Sequence, residues 1–333
     1  MVNISEIAKA AKVSPATVTR VVNNNGYVSK EKRKAILSAI EEYGYIPNQI
    51  AGNLRRKKTN FIGYILSELS DNLFFTRFGN AFDQAAQEAG YQVITMITHL
   101  KPEREKQLVA SLVGMMVEAI VFLGSPFSTE NIEWVLSRGV PVIMIERPVE
   151  SDGIDAVLID NYRAVHTALD HIIKKGHRNI AFIGREPFGE VEKERLRGFT
   201  EGMGKRGYNI PEHYLCTMPD YMIEYGKQGV CRAFDNGEPP TAILATSDLL
   251  ACGVLQELYK RNIRVPEDVS LVGFDNTLSS LCSPPITSVE LQPDVIGAAA
   301  VDMIIERCQK DRTSAKKVIY GTSIIDRGSV KAI

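Results

Sequence analysis

Pro15, Ala16, Thr17, Thr19 and Arg20 fall within six residues. Hydroxyl, guanidinium and small apolar side chains so close together suit contact with the base edges and phosphates of duplex DNA. A second set is scattered: Phe74 and Phe75, Arg195, Ser247 with Asp248, and Asp275. These are hydrogen-bonding and aromatic types suited to holding a small polar ligand, provided that the fold brings them to one place.

The first set needs a helix to present it. Asn3 is positioned as an N-cap with Glu6 three residues on as its reciprocal partner. Ile7, Ala8 and Ala11 give that helix an apolar stripe, and Lys12-Val13 makes a turn. Ser14 caps a second helix whose first position is Pro15, where no N–H is needed. With Val18, Val21 and Val22 facing inward, Ala16, Thr17, Thr19 and Arg20 lie near the exposed N-terminal end, the part of a recognition helix that meets base edges. A capped helix pair could equally be a dimerisation or capping module, and charge separates the two readings. Residues 1–60 carry eleven Lys or Arg against four Asp or Glu, +7, whereas the remainder is at −8, which the overall −1 of the 333-residue chain conceals. A basic module on an acidic body favours phosphate neutralisation at one end of the molecule.

A third helix is expected from an N-cap at Ser29 to about Tyr43, stopped by Gly44, with Ile36, Leu37, Ile40 and Tyr43 as its core face. Beyond it Pro47 can open only about two helical turns before the basic run Arg55-Arg56-Lys57-Lys58. A helix that short is marginal in water, and Gly52 weakens it by roughly 1 kcal/mol relative to Ala. The segment is therefore expected to order on DNA, with Leu54 as an apolar wedge in the minor groove flanked by cations.

Two motifs, Val13-Ser14-Pro15-Ala16-Thr17-Val18-Thr19-Arg20-Val21 and Tyr45-Ile46-Pro47-Asn48, resemble the N-terminal domain of the lactose/galactose repressor family of bacterial transcriptional regulators. The resemblance implies that Pro15, Ala16 and Arg20 discriminate operator bases, that Leu54 intercalates and that Ala51 lies beside it. Asn3, Ser14, Asn23, Tyr45 and Asn48 complete the expected DNA-contacting set. Thr19 stands where the family more often has Ser and keeps the hydroxyl. Because Pro15 and Ala16 carry no hydrogen-bonding groups, readout by this helix would rest on Arg20, Thr17 and contact with thymine methyls.

From Phe61 onward short apolar runs alternate with helical stretches. Residues 61–66, 91–97, 119–123, 140–145, 179–184, 241–245 and 268–274 read as buried strands, with helices near 76–89, 103–117, 129–138, 161–175, 190–206, 225–236, 248–261 and 294–308. This alternation implies parallel sheets covered on both faces. Its length exceeds one such sheet, so the expected fold is an all-α helix-turn-helix domain followed by an α/β body of two doubly wound parallel-sheet lobes. The resemblance extends through the body to Asp326-Arg327-Gly328-Ser329 and implies a likeness to periplasmic sugar-binding proteins, with crossovers near 159, 291 and 317. The expected organisation is a DNA-binding domain at 1–45, a hinge at 46–60 and a two-lobed effector-binding and dimerisation domain at 61–333. Its N-lobe would span about 61–158 and 292–317, and its C-lobe about 159–291 and 318–333.

In such sheets ligands bind beyond the carboxyl ends of strands, where Phe74, Phe75, Arg195, Ser247 and Asp275 fall. Matched to the family, Phe74, Glu146, Asp160, Arg195, Tyr221, Ser247 and Asp275 occupy pocket-lining positions. Arg and Asp offer fixed, charge-assisted hydrogen bonds to neighbouring hydroxyls, and Phe74 and Tyr221 offer stacking faces, which suits a sugar. With no dominant cationic cluster, a neutral sugar is favoured over a phosphorylated one. Two departures stand out: Asp71-Asn72-Leu73-Phe74-Phe75 lacks the family's usual proline, and Glu146 replaces the usual Asp, so a longer side chain would intrude into the pocket.

The remaining expectations follow from what the sequence does not contain. Five cysteines without CxxC spacing read as reduced thiols in a cytoplasmic protein, and five scattered histidines predict no metal site. There is no export signal, no apolar run of membrane-spanning length, and no GxGxxG, GxxxxGK[ST] or GxSxG motif, so no membrane association, cofactor or enzymatic activity is expected. The expected function is a repressor of a carbohydrate-utilisation operon, gated by a small molecule, acting on pseudo-palindromic operator DNA. The chain ends soon after its final strand with no leucine heptad, which predicts a homodimer and not a zippered tetramer.

Overall fold

Apolar side chains at helical spacing build the N-terminal unit, and runs of buried β-branched residues build the rest. The computed structural model describes residues 2–22, 25–45, 59–67, 72–124, 128–147, 151, 153–309 and 312–333. The chain divides into two units, Met1–Thr59 and Asn60–Ile333.

The first unit holds α1 (Ile4–Ala10), α2 (Pro15–Val22) and α3 (Lys30–Glu42). Asn3 caps α1 by accepting from the Ser5 and Glu6 amides, while Glu6 accepts from the Asn3 amide at 2.9 Å. Lys12 turns the chain with φ at +51°, and Gly44 ends the third helix at φ +58°. Ile7, Ala8, Val18, Val21, Ile36 and Ala39 form the core. The expected face of α3 is partly corrected: Ile36 is buried and Ile40 packs against the core, but Leu37 is 52% exposed and Tyr43 45% exposed. Ala39, three positions after Ile36, lies in the buried stripe instead. The expected hinge lies almost wholly outside the described residues.

The second unit contains two six-stranded sheets. The first runs β11 (Lys317–Tyr320), β5 (Ile154–Ile159), β4 (Val142–Ile145), β3 (Ala119–Leu123), β1 (Phe61–Leu66), β2 (Gln92–Ile97), all parallel. The second runs β12 (Ser323–Ile325), β10 (Thr287–Glu290), β9 (Ser270–Asp275), β8 (Ala242–Ala245), β6 (Ile180–Arg185), β7 (Leu215–Met218). It is parallel except for β12, which pairs antiparallel with β10 at the edge.

Helices cover the sheets: α4 (Leu73–Glu88), α5 (Pro102–Gly114), α6 (Thr129–Ser137), α7 (Asn161–Lys174), α8 (Glu190–Gly204), α9 (Ile223–Asp235), α10 (Asp248–Lys260) and α11 (Pro293–Cys308). Strands β5, β7, β10 and β11 were not anticipated. Each lacks a clean apolar run: β7 buries alternate residues only, β11 buries none fully, β10 contributes Thr287 and Ser288, and β5 has Asp155 near its start. Asp155 is fully buried, held by Arg307, Arg312 and the Lys316 amide.

The chain passes between the lobes after β5, between β10 and α11, and between Tyr320 and Ser323. The last crossing comes later than the expected 317 because Lys317–Tyr320 still pair with β5. In the first sheet strand order reverses at β1, between β2 and β3; in the second it reverses at β6, between β7 and β8. Such switch points open a crevice at the carboxyl ends of their strands.

Candidate ligand cleft and nucleic-acid interface

The carboxyl ends of both sheets contribute to one cleft. From the first lobe come Ser67 after β1, Leu123 and Gly124 at the end of β3, Glu146 after β4, and Asn72, Phe74 and Phe75 at the start of α4. From the second come Arg185 at the end of β6, Arg195 on α8, Asp220 and Tyr221 after β7, and Asp275 at the end of β9. The cleft spans about 860 Å³ of empty space, part of it open solvent.

Arg195 is the fixed point. It is 5% exposed; Nε donates to Asn161 Oδ1 at 2.8 Å, Nη1 donates to the Thr246 carbonyl at 2.8 Å, and its guanidinium lies 4.3 Å from the centre of the Phe274 ring. Its remaining nitrogen stands 3.9 Å from Asp275 Oδ1. Burial by itself would depress its pKa, but Tyr221, Asp275 and Glu146 around it raise it on balance. Asp275 accepts from Asn72 Nδ2 at 3.1 Å, a hydrogen bond from one lobe to the other. A second such bond, 3.4 Å long, joins Arg77 to the Asn276 carbonyl.

Burial pushes the Asp275 carboxyl up to about 8, against the pull of Arg195. The Glu146 carboxyl is pushed up to about 7, again chiefly by burial, with Arg195 and Asn161 pulling the other way. The longer Glu146 side chain does not simply project into the cleft. Its two oxygens accept from the Ile159 amide at 2.9 Å and Asn161 Nδ2 at 3.4 Å. Both carboxylates also sit on left-handed backbone, φ +62° at Glu146 and φ +90° at Asp275, conformations that cost a non-glycine residue about 1–3 kcal/mol and are retained where the surroundings enforce them.

Asp248 enforces one of them. This buried carboxylate accepts from the Thr277, Leu278 and Ser279 amides at 2.7–2.9 Å and from Ser288 Oγ at 2.8 Å, which fixes the loop that follows Asp275.

Of the expected ligand contacts, Phe74, Phe75, Glu146, Arg195, Tyr221 and Asp275 line the cleft. Two do not. Ser247 is fully buried and caps α10 through the Leu250 amide. Asp160 caps α7 through the Arg163 amide and lies in an adjoining hollow with Asn161 and Ile319. In both cases a short oxygen-bearing side chain just ahead of a helix is claimed by the helix's own free N–H groups.

Sequence reasoning missed Arg185, Asp220, Glu192 and the role of Asn72. Arg185 lies 5.7 Å from the Tyr221 ring and 3.5 Å from Asp220, and Tyr221 Oη donates to Glu192 at 3.3 Å. The available signals were local: Arg185 closes a strand, Asn72 caps a helix, and Asp220 precedes the predicted Tyr221. Among the described residues no cluster of His, Cys, Asp and Glu is arranged to hold a metal ion, and no helix is long and apolar enough to cross a membrane.

On the N-terminal unit, Ser14, Pro15 and Ala16 are exposed at the start of α2 and Arg20 in its last turn, with Thr17 and Thr19 half-buried between them. Ser14 Oγ accepts from the Thr17 amide and is 2.8 Å from the Thr17 hydroxyl, while the Thr19 hydroxyl donates to the Pro15 carbonyl at 3.0 Å. Asn3 is exposed with its side-chain oxygen engaged in capping, and Tyr45 packs partly against the core. Asn23, Asn48, Ala51 and Leu54 lie outside the described residues.

Comparison with known proteins accounts for both units. Residues 3–48 match the bacterial regulatory proteins of the lacI family, and residues 169–330 match the periplasmic binding protein-like domain. The chain is 32% identical to the HTH-type transcriptional regulator DegA of Bacillus subtilis (strain 168), over 99% of this chain and 98% of that one. It superposes on the transcriptional regulator CelR solved as a complex with cellobiose, with a TM-score of 0.74 at 26% identity over 99% of this chain and all of that one. It shares the fold of the Lac repressor dimer bound to operator and the anti-inducer ONPF, with a TM-score of 0.86 at 24% identity over 99% of each chain. The chain belongs to the lacI family of bacterial regulatory proteins and is a DNA-binding transcriptional regulator with a helix-turn-helix unit and a two-lobed, periplasmic-binding-protein-like body.

Proposed function

We propose that the protein represses carbohydrate-utilisation genes, with a neutral sugar in the cleft as its effector and residues 1–45, 46–60 and 61–333 as reading head, hinge and effector-binding body. The observation that carries this reading is the buried Arg195 fixed between Asn161, the Thr246 carbonyl and Asp275, with Phe74 and Tyr221 among the cleft walls. A held guanidinium and two carboxylates offer donors and acceptors to adjacent hydroxyls, and the aromatic rings offer faces to C–H surface. The cellobiose bound by CelR supports the same class of ligand.

A single α2 offers few base-contacting groups, which favours action as a homodimer on two half-sites of a pseudo-palindromic operator. Pro15, Ala16, Thr17 and Arg20 read base edges, the Ser14 and Thr19 oxygens stand near phosphates, and Leu54 enters the minor groove.

Coupling between the sites requires that ligand favour one lobe arrangement over another. The Asn72–Asp275 and Arg77–Asn276 bonds are the contacts a ligand in the cleft would exchange or reinforce. The role is regulatory and not catalytic, exercised in the cytoplasm without cofactor or metal; the regulators it resembles support this.

The test is a thermal-shift screen of the full chain against neutral sugars, sugar phosphates, nucleosides and purines. Ligand at 100 times its Kd adds about 2.7 kcal/mol. A neutral sugar should raise the Tm of the wild type and fail to raise that of Asp275→Asn. Shifts confined to sugar phosphates or purines would overturn the sugar assignment.

A further inference from the structure

Cys252 and Cys282 are 30 positions apart in sequence, yet their sulfurs are 3.2 Å apart and both side chains are half-buried. Neither has a part in DNA reading or in lining the cleft. Their setting is specific. Cys252 lies one helical turn beyond Asp248 on α10, so both point along the same face. The segment 276–282 crosses that face: Asp248 holds its amides at Thr277, Leu278 and Ser279, and Cys282 follows, its thiol 3.6 Å from the Leu278 carbonyl. The loop behind the cleft carboxylate Asp275 is thus pinned at its start by a carboxylate and meets a thiol at its end.

We propose that Cys252 and Cys282 form a reversible disulfide under hydroperoxide, fixing the loop that follows Asp275 onto α10. Either sulfur can donate to the other across 3.2 Å, which stabilises a single thiolate in the pair, here taken as Cys282. Its thiolate attacks one peroxide oxygen, the O–O bond breaks, and Cys282 becomes a sulfenic acid as the first water leaves with the thiol proton. The Cys252 sulfur then attacks Cys282 Sγ, the S–O bond breaks, the S–S bond forms and a second water leaves. Two thiols are oxidised by two electrons and one hydrogen peroxide is reduced to two waters, with a dithiol reductant reversing the change. Cys231 and Cys216 are set differently: Cys231 faces Glu257 and Arg261, and Cys216 is buried with its pKa pushed up to about 11.

The proposal goes beyond the regulatory reading and does not depend on which ligand the cleft takes. The full chain is treated with hydrogen peroxide, alkylated and analysed by mass spectrometry, and hydrogen exchange is followed in parallel. The expected result is loss of two of five alkylatable thiols, a peptide linked through Cys252 and Cys282, and at least tenfold slower exchange at Thr277, Leu278 and Ser279. Dithiothreitol should restore all five thiols. Cys252→Ser and Cys282→Ser, each checked for an unchanged circular dichroism spectrum, should show neither the link nor the slowing. Five remaining thiols, a link between another pair, or a Cys252–Cys282 link without slower exchange would each overturn the proposal.

Discussion

The reading head and the cleft solve opposite problems. On α2 the functional groups sit on the surface of a small helical unit, with Arg20 exposed and the Ser14, Thr17 and Thr19 oxygens bonded within four residues of themselves. In the cleft they are buried and joined across long separations: Arg195 to Asn161, Thr246 and Asp275, and Asp275 to Asn72. The head can lose a functional side chain without losing its fold. The cleft is less tolerant of losing a charge, because its functional charges are buried and bonded to one another.

The largest effect that would test this contrast is Arg195→Ala. Removing one partner of a buried, hydrogen-bonded charge set costs about 3–5 kcal/mol, so chemical denaturation should show a strongly weakened body, and effector response should vanish. A body melting as the wild type does would break the comparison. Arg20→Ala is the counterpart. It should leave stability within about 0.5 kcal/mol while costing roughly 1–3 kcal/mol of discrimination against a wrong base pair, read by competition between cognate and altered duplexes. Equal weakening on every sequence would mean that Arg20 contacts phosphate only.

The contrast extends to pH. Glu146 and Asp275 titrate near 7 and 8 when folded, well above the ordinary carboxylate range, because burial disfavours their charge. The folded state therefore holds more protons than the unfolded one between about pH 4 and pH 8, and stability falls as pH rises through that window. The Tm of the body should decline from pH 5 to pH 8.5, and less steeply in Glu146→Gln. Hydroxyls that donate to these carboxylates favour the charged form, so sugar binding at pH 7 should release protons, measurable by calorimetry in buffers of different ionisation enthalpy. The smallest effect expected is in the head: Leu37→Ala should change stability by no more than about 0.5 kcal/mol, since Leu37 is half exposed, whereas Ile36→Ala, which empties a fully buried site, should cost about 2–5 kcal/mol.

The same contrast explains what the sequence revealed. Capping, turn and apolar spacing are local, so Asn3, Ser14, Pro15 and the inward valines of α2 were readable directly, and only the rotation of α3 was misjudged, by about one position. Arg195 and Asp275 were visible because a charged residue at a strand or helix end in an α/β body is conspicuous. Asp160 and Ser247 looked equally conspicuous, but helix N–H groups claim them, a competition that composition does not display. Asn72, Arg185 and Asp220 became site residues only when two sheets brought their carboxyl ends together. The edge strands β7 and β11 carry too few buried positions to stand out.

On the proposed reading, the state of the cleft sets the head's grip on its operator. Fluorescence anisotropy with a duplex selected from a random library by this chain, at fixed salt, with and without the sugar giving the largest thermal shift, tests it most directly. The prediction is a change in operator Kd of tenfold or more, about 1.4 kcal/mol, that disappears in Asp275→Asn while that variant's ligand-free Kd matches the wild type. A sugar that binds without moving the operator Kd, or an Asp275→Asn protein that keeps the full response, would contradict it.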